Sequence, residues 1–204
     1  MASAVVEALA AVDAACHRVG ARYYTIGAQA VILHGYERFT NDVDVAVAFD
    51  GPGDALVAAL TNAGLDLLVA DGARFLREAR VLPLRHGRTR LLVDVVLIGP
   101  GLEEDFLART VERIVDGARI PVVRPEDLVA MKLLAGRPKD IEDVVGVMAA
   151  QRASFDVKMV RVTLRLLERA LDRSDLAPLF DEALRRAGLK KGAAPRKRPA
   201  GKKH

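Results

Sequence analysis

The chain has 204 residues, 51% of them hydrophobic, which is enough for one sizeable core with at most a small appended domain. The composition predicts a folded, soluble globule, and the single cysteine, Cys16, excludes an internal disulfide and fits a reducing cytoplasm. No apolar run approaches the length of a membrane span. Glu7 and Asp13 interrupt the first apolar stretch, so neither a membrane anchor nor a signal peptide is expected.

The formal net charge of +4 is misleading, because one terminal segment carries it. From Lys190 onward there are seven basic residues and no acid, and subtracting seven from 31 leaves 24 basic against 27 acidic residues elsewhere. We predict that residues 189–204 form a basic, disordered tail. Two interpretations stay open for this tail: an arm that binds a polyanion such as RNA, or a solubilising segment with no further role.

Periodicity and turn residues predict alternating helices and strands up to about residue 123, and helices alone beyond it. The predicted strands are 23–26, 42–49, 65–70, 80–85, 90–98, 111–115 and 119–123. The predicted helices are 3–19, 29–33, 54–62, 103–109, 125–135, 138–148, 156–172 and 175–187, while 72–79 fits one helical turn or two. The strand over 90–98 is apolar on both sides, so we expect it to be central and covered on both faces.

The strand that begins at Asp42 opens with two carboxylates. Strand side chains alternate between faces, so Asp42 and Asp44 project to one side while Val43 and Val45 point to the other. Two adjacent carboxylates repel each other unless a positive group lies between them. A hard divalent cation such as Mg²⁺ is the predicted partner, since it takes oxygen ligands and shares substrate phosphates.

Asp94 is the single charged residue in the apolar run from Leu91 to Ile98. A buried carboxylate without a partner is costly, so Asp94 either caps a neighbouring loop or supplies a third ligand beside Asp42 and Asp44, and we favour the third ligand. Two ions about 3.5–4 Å apart can activate an attacking hydroxyl and stabilise a leaving pyrophosphate. Gly27 and Ala28, at a strand-to-helix turn, would let backbone N–H groups approach a triphosphate, although an ordinary turn uses the same residues.

Four elements in this order resemble the nucleotidyltransferase superfamily of DNA polymerase β. They are Gly27-Ala28, then Arg38-Phe39-Thr40-Asn41-Asp42-Val43-Asp44-Val45, then Asp94 in its strand, and last the segment 125–143 with Lys132, Asp140 and Asp143. The last segment is similar to the AbiEii-type branch of abortive-infection and toxin–antitoxin nucleotidyltransferases. The resemblance covers about residues 5–148.

The resemblance implies an α/β (α+β) fold with a mixed, largely antiparallel sheet flanked by helices. A catalytic core over 1–124 and a helical subdomain over 125–188 are expected to precede the tail. The implied reaction, with Mg²⁺ or Mn²⁺, is transfer of a nucleoside monophosphate from an NTP to RNA, especially a tRNA 3′ end, or to a protein. The branch adds a toxin role with an antitoxin partner to these expectations, and an aminoglycoside-like small molecule is the alternative acceptor.

By position, Asp42 and Asp44 match the metal-ligand pair of the superfamily. Asp94 matches the third carboxylate, the expected base or metal ligand near the acceptor hydroxyl. Gly27 matches the phosphate-turn glycine. Ala28 departs from the more usual Gly or Ser, which leaves contact with the γ-phosphate to the backbone.

The resemblance also assigns residues outside these two strands. It makes Lys132 a triphosphate contact. The alternative is a lysine whose side chain extends to the surface and has no contact with a nucleotide. Asp140 and Asp143 match the last acidic motif of the branch, although the helix dipole alone favours carboxylates there. Arg38 is a candidate phosphate contact, and the alternative is that it is an ordinary solvated arginine in a loop. Thr40 is expected to orient the first aspartate of the pair or to cap the turn.

Three other functions fit parts of this pattern. Glycosyltransferases and haloacid-dehalogenase phosphatases also use an Asp-x-Asp pair, but there the pair commonly follows a strand, whereas here it opens one. A catalytically degenerate nucleotide-binding or RNA-binding module is the non-enzymatic interpretation. Against that interpretation, the three carboxylates, Gly27 and Lys132 are all present.

Overall fold

The structure, a computed structural model, describes residues 3–190, which form two compact units. Unit 1 comprises the described residues up to Leu33 together with Arg38–Arg124, and unit 2 comprises His34–Glu37 together with the described chain from Pro125. The predicted tail lies outside the described residues from 191 onward. Leu189, which we assigned to that tail, is buried in unit 2, and its backbone N–H donates to the Leu184 carbonyl at 2.9 Å.

Unit 1 is built on one seven-stranded sheet. The strands are β1 (Arg22–Ile26), β2 (Asp42–Ala48), β3 (Leu65–Leu67), β4 (Val81–His86), β5 (Leu92–Leu97), β6 (Val111–Val115) and β7 (Ala118–Val122). Their order across the sheet is β3-β4-β5-β2-β1-β7-β6. The pairs β2–β5 and β1–β7 are parallel and the other four pairs are antiparallel, which confirms the predicted mixed, largely antiparallel sheet.

The helices of unit 1 flank this sheet. They are α1 (Ala4–Val19), α2 (Gly27–Leu33), α3 (Gly53–Asn62), α4 (Gly72–Ala79) and α5 (Leu102–Ala108). Helix α1 begins where the Ser3 side chain accepts a hydrogen bond from the Val6 N–H, and it ends at Gly20 in the left-handed conformation. Residues 72–79, ambiguous from sequence, are helical throughout because Asp71 caps them by accepting from the Arg74 N–H at 2.9 Å.

The two faces of the central strands differ sharply in exposure. On one face the alternate residues are buried; they are Val43, Val45, Val47, Leu82, Leu84, Val93 and Val95. Helix α1 packs on this apolar face, where Tyr23 lies beside Asp13 and the Cys16 thiol is buried.

The opposite face is only half covered, and this corrects one expectation. Strand β5 is central in the sheet but is not covered on both faces, because Leu92 is 38% exposed and Asp94 and Val96 are half-buried. The sequence could not distinguish the two faces of β5, since apolar residues occupy both. The predicted strand over 65–70 is also shorter than expected and ends at Leu67.

Unit 2 is helical. Its helices are α6 (Pro125–Ala135), α7 (Pro138–Ala150), α8 (Val157–Leu171) and α9 (Leu176–Arg186). His34–Glu37 joins them, since the Gln151 side-chain amide donates to the His34 carbonyl at 2.7 Å. Across residues 3–190, none of the helices combines the length and apolar character that crossing a bilayer requires.

Candidate functional site

The three predicted ligand carboxylates lie on one face of the sheet in unit 1. Asp44 on β2 and Asp94 on β5 are direct Cα partners in the parallel pair. Two residues before them on each strand, Asp42 is opposite Leu92. Partners in register share a face, so all three carboxylates project from the half-covered side, and each is half-buried. We call this side of the sheet the carboxylate face.

Gly27 is required at its position for two separate reasons. Its φ of +64° lies in the left-handed region that glycine adopts without strain. In addition, a Cβ at this residue would overlap the side chain of Asp44, whose strand neighbour across β1–β2 is Ile26. The sequence interpretation tied Gly27 to a phosphate, and the structure adds close packing against a candidate metal ligand. Ala28, next to it, is buried.

Replacing Gly27 by Ala is expected to reduce the nucleotidyl transfer that the resemblance implies at least about tenfold, because Asp44 must move to make room for the new Cβ. The left-handed conformation adds a strain of about 1–2 kcal/mol to the folded state. Gly20→Ala is the matched control, since Gly20 has a φ of +70° and nothing lies within 4 Å of a Cβ built there. Both variants should lose unfolding free energy in urea, and Gly27→Ala should lose at least as much as Gly20→Ala because its Cβ overlaps Asp44, but only Gly27→Ala should lose transfer. Equal transfer by the two variants would contradict this role of Gly27.

The loop before β2 holds Asp42 in place. The Thr40 hydroxyl donates to Oδ1 of Asp42, so Thr40 orients the first aspartate of the pair. Arg38 is half-exposed, and its Nε donates to the Phe39 carbonyl at 3.4 Å. The Phe39 ring is 81% exposed, although sequence reasoning gave this residue no role.

The environment of Asp94 fits a site built for a cation. Burial raises the pKa of Asp94 above its ordinary value, and the negative charge of Asp42 raises it further. An ion between the carboxylates would relieve that repulsion, and the oxygen-only donor set is the kind that Mg²⁺ and Mn²⁺ prefer. Within residues 3–190, no three acidic, histidine or cysteine side chains are already drawn together as a metal-binding group. The fit therefore rests on the shared face and register of the strands.

The remaining predicted residues form a buried charged cluster in unit 2. Lys132 of α6 contacts two carboxylates of α7, with Nζ 3.0 Å from Oδ1 of Asp140 and 2.8 Å from Oδ2 of Asp143. Arg137 donates from Nε to Oδ2 of Asp140 at 2.5 Å. The Lys132 side chain is only 9% exposed, so it does not snorkel to the surface.

Sequence reasoning missed two members of unit 2 that matter to its polar interior. Arg137 joins the cluster through an i,i+3 contact with Asp140, a spacing that could have suggested the pair. Glu126, in the first turn of α6, is buried, and its Oε1 accepts from the Asp156 N–H at 2.9 Å. That contact links residues thirty apart, for which the local sequence has no signal.

The buried charged cluster of unit 2 makes the unfolding free energy depend on pH in the acidic range. Burial alone would raise the pKa of Asp140, but hydrogen bonds and charges from Arg137 and Lys132 lower it below the ordinary carboxyl value of 3.8. A carboxyl whose pKa is lower in the folded than in the unfolded protein stabilises the fold at any pH above its pKa in the unfolded chain. This stabilisation is lost as the pH falls towards and through its pKa in the folded protein.

We therefore expect the unfolding free energy to drop as the pH is lowered below about 4, with Asp140 contributing up to about 1.4 kcal/mol per pH unit. Urea unfolding between pH 5 and pH 2.5 measures this slope. Asp140→Asn should flatten the slope, whereas Asp105→Asn, which removes an exposed carboxyl in α5, should keep it. An unchanged slope in Asp140→Asn would show that the buried cluster does not titrate in this way.

Comparison of the sequence with known protein families identifies one family that covers most of the chain. The model of a family described as "nucleotidyltransferase of unknown function" matches residues 4–165. No curated protein sequence matches the chain.

Several solved structures are similar in fold. The antibiotic-resistance factor ANT(2″)-Ia is 13% identical with a TM-score of 0.57, over 89% of this chain and 98% of that one. A nucleotidyltransferase-like protein from Paracoccidioides brasiliensis is 17% identical with a TM-score of 0.52, over 88% and 94%. The lincosamide adenylyltransferase LnuA is 15% identical with a TM-score of 0.50, over 73% and 98%. At these identities the likeness is one of fold.

Proposed function

The chain belongs to a family of nucleotidyltransferases, and on that premise we propose that it transfers a nucleoside monophosphate from an NTP to an acceptor hydroxyl, with pyrophosphate leaving. The observation that carries the proposal is the register of the central strands. It puts Asp44 opposite Asp94 and sets Asp42 on the same face.

In this proposal Asp42 and Asp44 hold Mg²⁺ or Mn²⁺, with Thr40 fixing the orientation of Asp42. When bound, the cation neutralises triphosphate charge and makes the attacking hydroxyl more acidic. Asp94 serves as a further ligand or takes the proton from the acceptor hydroxyl. Its raised pKa favours proton uptake more than an ordinary surface carboxylate would.

The triphosphate is proposed to lie at the turn that opens α2. Backbone N–H groups of Gly27 and Ala28 would contact it, and Arg38 is a second candidate contact. Ala28 has no hydroxyl to offer, so any contribution from this residue is limited to its backbone.

The unit 2 cluster is proposed as a further nucleotide contact. The Lys132 ammonium has three N–H donors, and Asp140 and Asp143 occupy two of them, which leaves one for a phosphate oxygen. In this role Asp140 and Asp143 orient Lys132 and do not themselves contact the nucleotide.

The proposed acceptor is RNA, especially a tRNA 3′ end, or a protein, as in the AbiEii-type branch that the sequence resembles. A toxin role with an antitoxin partner belongs to the same proposal. A small-molecule acceptor is the second candidate, because ANT(2″)-Ia has been solved in complex with adenylyl-2″-tobramycin and LnuA with lincomycin bound. The basic residues after Lys190 favour RNA.

Incubation with each α-³²P-labelled NTP in turn tests the proposal, using Mg²⁺ and a cell extract separated into RNA, protein and small-molecule fractions. We expect label in one fraction, with stoichiometric release of pyrophosphate. Binding of NTP without pyrophosphate release, in Mg²⁺ and in Mn²⁺ and with every fraction, would instead favour a degenerate nucleotide-binding module.

A further inference from the structure

The carboxylate face also carries an arginine without a partner. Arg85 of β4 lies directly opposite Leu92 of β5, and Leu92 is the strand partner of Asp42. Residues opposite one another in register share a face, so Arg85 faces the same side as the three carboxylates. It is half-buried, and within residues 3–190 its guanidinium has no hydrogen bond or ion pair.

The two arginines nearest to it in the same hairpin have carboxylate partners. Arg88 pairs with Glu7 of α1. Arg90 lies 3.9 Å from Asp66, the residue that faces Arg85 across β3–β4. Within residues 3–190 no ion pair joins Asp66 to Arg85, so the Arg85 guanidinium remains available to a ligand.

The order of the strands tells which substrate Arg85 would meet. Gly27 follows β1, Asp42 and Asp44 are on β2, Asp94 is on β5, and Arg85 is on β4, the next strand outward. Under the proposed function the donor triphosphate lies at the β1 turn and the acceptor hydroxyl lies at Asp94. β4 is therefore beyond the reacting hydroxyl, on the acceptor side, at a strand spacing of about 4.8 Å from β5.

We propose that Arg85 binds a phosphate of the acceptor, and hence that the acceptor is an RNA with a free 3′ hydroxyl. A guanidinium binds phosphate oxygens bidentately, whereas it would repel the ammonium groups of an aminoglycoside. This inference rests on the proposed function, because the proposed function decides which side of the sheet receives the acceptor.

The test uses the full chain and a 5′-fluorescein-labelled 12-nucleotide RNA with a 3′ hydroxyl. Arg85→Ala is expected to weaken binding of this RNA about tenfold in 100 mM KCl. It should also reduce the dependence of log Kd on log[KCl] by about 0.7, the value for one single-strand phosphate. Arg85→Lys keeps the charge but loses the bidentate geometry of the guanidinium, so its affinity for the RNA should lie between those of the wild type and Arg85→Ala.

Arg88→Ala is the matched control, since it removes the same charge from the same hairpin but from a residue paired with α1. Its salt dependence should equal that of the wild type. Binding of ATP with Mg²⁺, measured by calorimetry, should stay within about twofold of wild type in all three variants.

Three results would overturn the inference. The first is RNA binding by Arg85→Ala that is as tight as that by Arg88→Ala. The second is a parallel loss of ATP binding, which would put Arg85 on the donor side. The third is faster transfer of label to tobramycin than to the 12-mer. Failure of the proposed function is distinguishable, because it would appear as wild-type protein that binds ATP and RNA but transfers no label to any acceptor.

Discussion

Asp44→Asn is expected to lower nucleotidyl transfer by about a thousandfold or more. Loss of a cation ligand removes several kcal/mol of charge stabilisation, and about 4 kcal/mol corresponds to a thousandfold in rate. Asparagine keeps the shape of the side chain that packs on Gly27, so the strands should fold as before. Initial rates of label transfer from α-³²P-labelled NTP measure the effect.

The control for this variant is Asp105→Asn, which makes the same chemical change at an exposed position in α5. It should transfer at the wild-type rate. Urea unfolding should show that both variants remain folded. Wild-type activity in Asp44→Asn would remove Asp44 from the candidate metal site.

Lys132→Met is expected to destabilise the protein by about 3–5 kcal/mol, because it leaves Asp140 and Asp143 buried without their shared ammonium. Methionine preserves most of the side-chain length, so the effect reports the lost charge more than lost packing. The change should appear in urea unfolding at pH 7 and as a lower thermal midpoint.

Two comparisons make this expectation specific. Lys158→Met removes an exposed lysine of α8 and should change the unfolding free energy by less than about 0.5 kcal/mol. Adding Asp143→Asn to Lys132→Met should recover part of the loss, since it removes one of the two buried carboxylates that lost the ammonium. A cost below about 1 kcal/mol for Lys132→Met alone would show that the cluster is not a stabilising core feature.

The candidate site was predictable where it depends on local geometry. Asp42 and Asp44 share a face because side chains alternate along any strand, and no tertiary information is needed for that. Their alignment with Asp94 depends on the register of two strands about fifty residues apart, which the sequence only suggested through the isolated charge in an apolar strand.

The surroundings of Lys132 were less predictable. An apolar helix with one lysine is compatible with a surface lysine and with a buried one, and periodicity does not decide between them. The deciding contacts come from the next helix, α7. The exposure of Leu92 was missed for a similar reason, because apolar side chains occupy both faces of β5.

The most direct measurement compares two positions of the radioactive label in ATP. Wild-type protein is incubated with Mg²⁺ and total RNA, once with α-³²P-ATP and once with γ-³²P-ATP, alongside Asp44→Asn. If nucleoside monophosphate is transferred with pyrophosphate leaving, only the α-label becomes attached to RNA, the γ-label appears in pyrophosphate, and Asp44→Asn attaches neither. Attachment of the γ-label would identify a phosphate-transferring enzyme, and α-labelling that persists in Asp44→Asn would contradict catalysis at the carboxylate face.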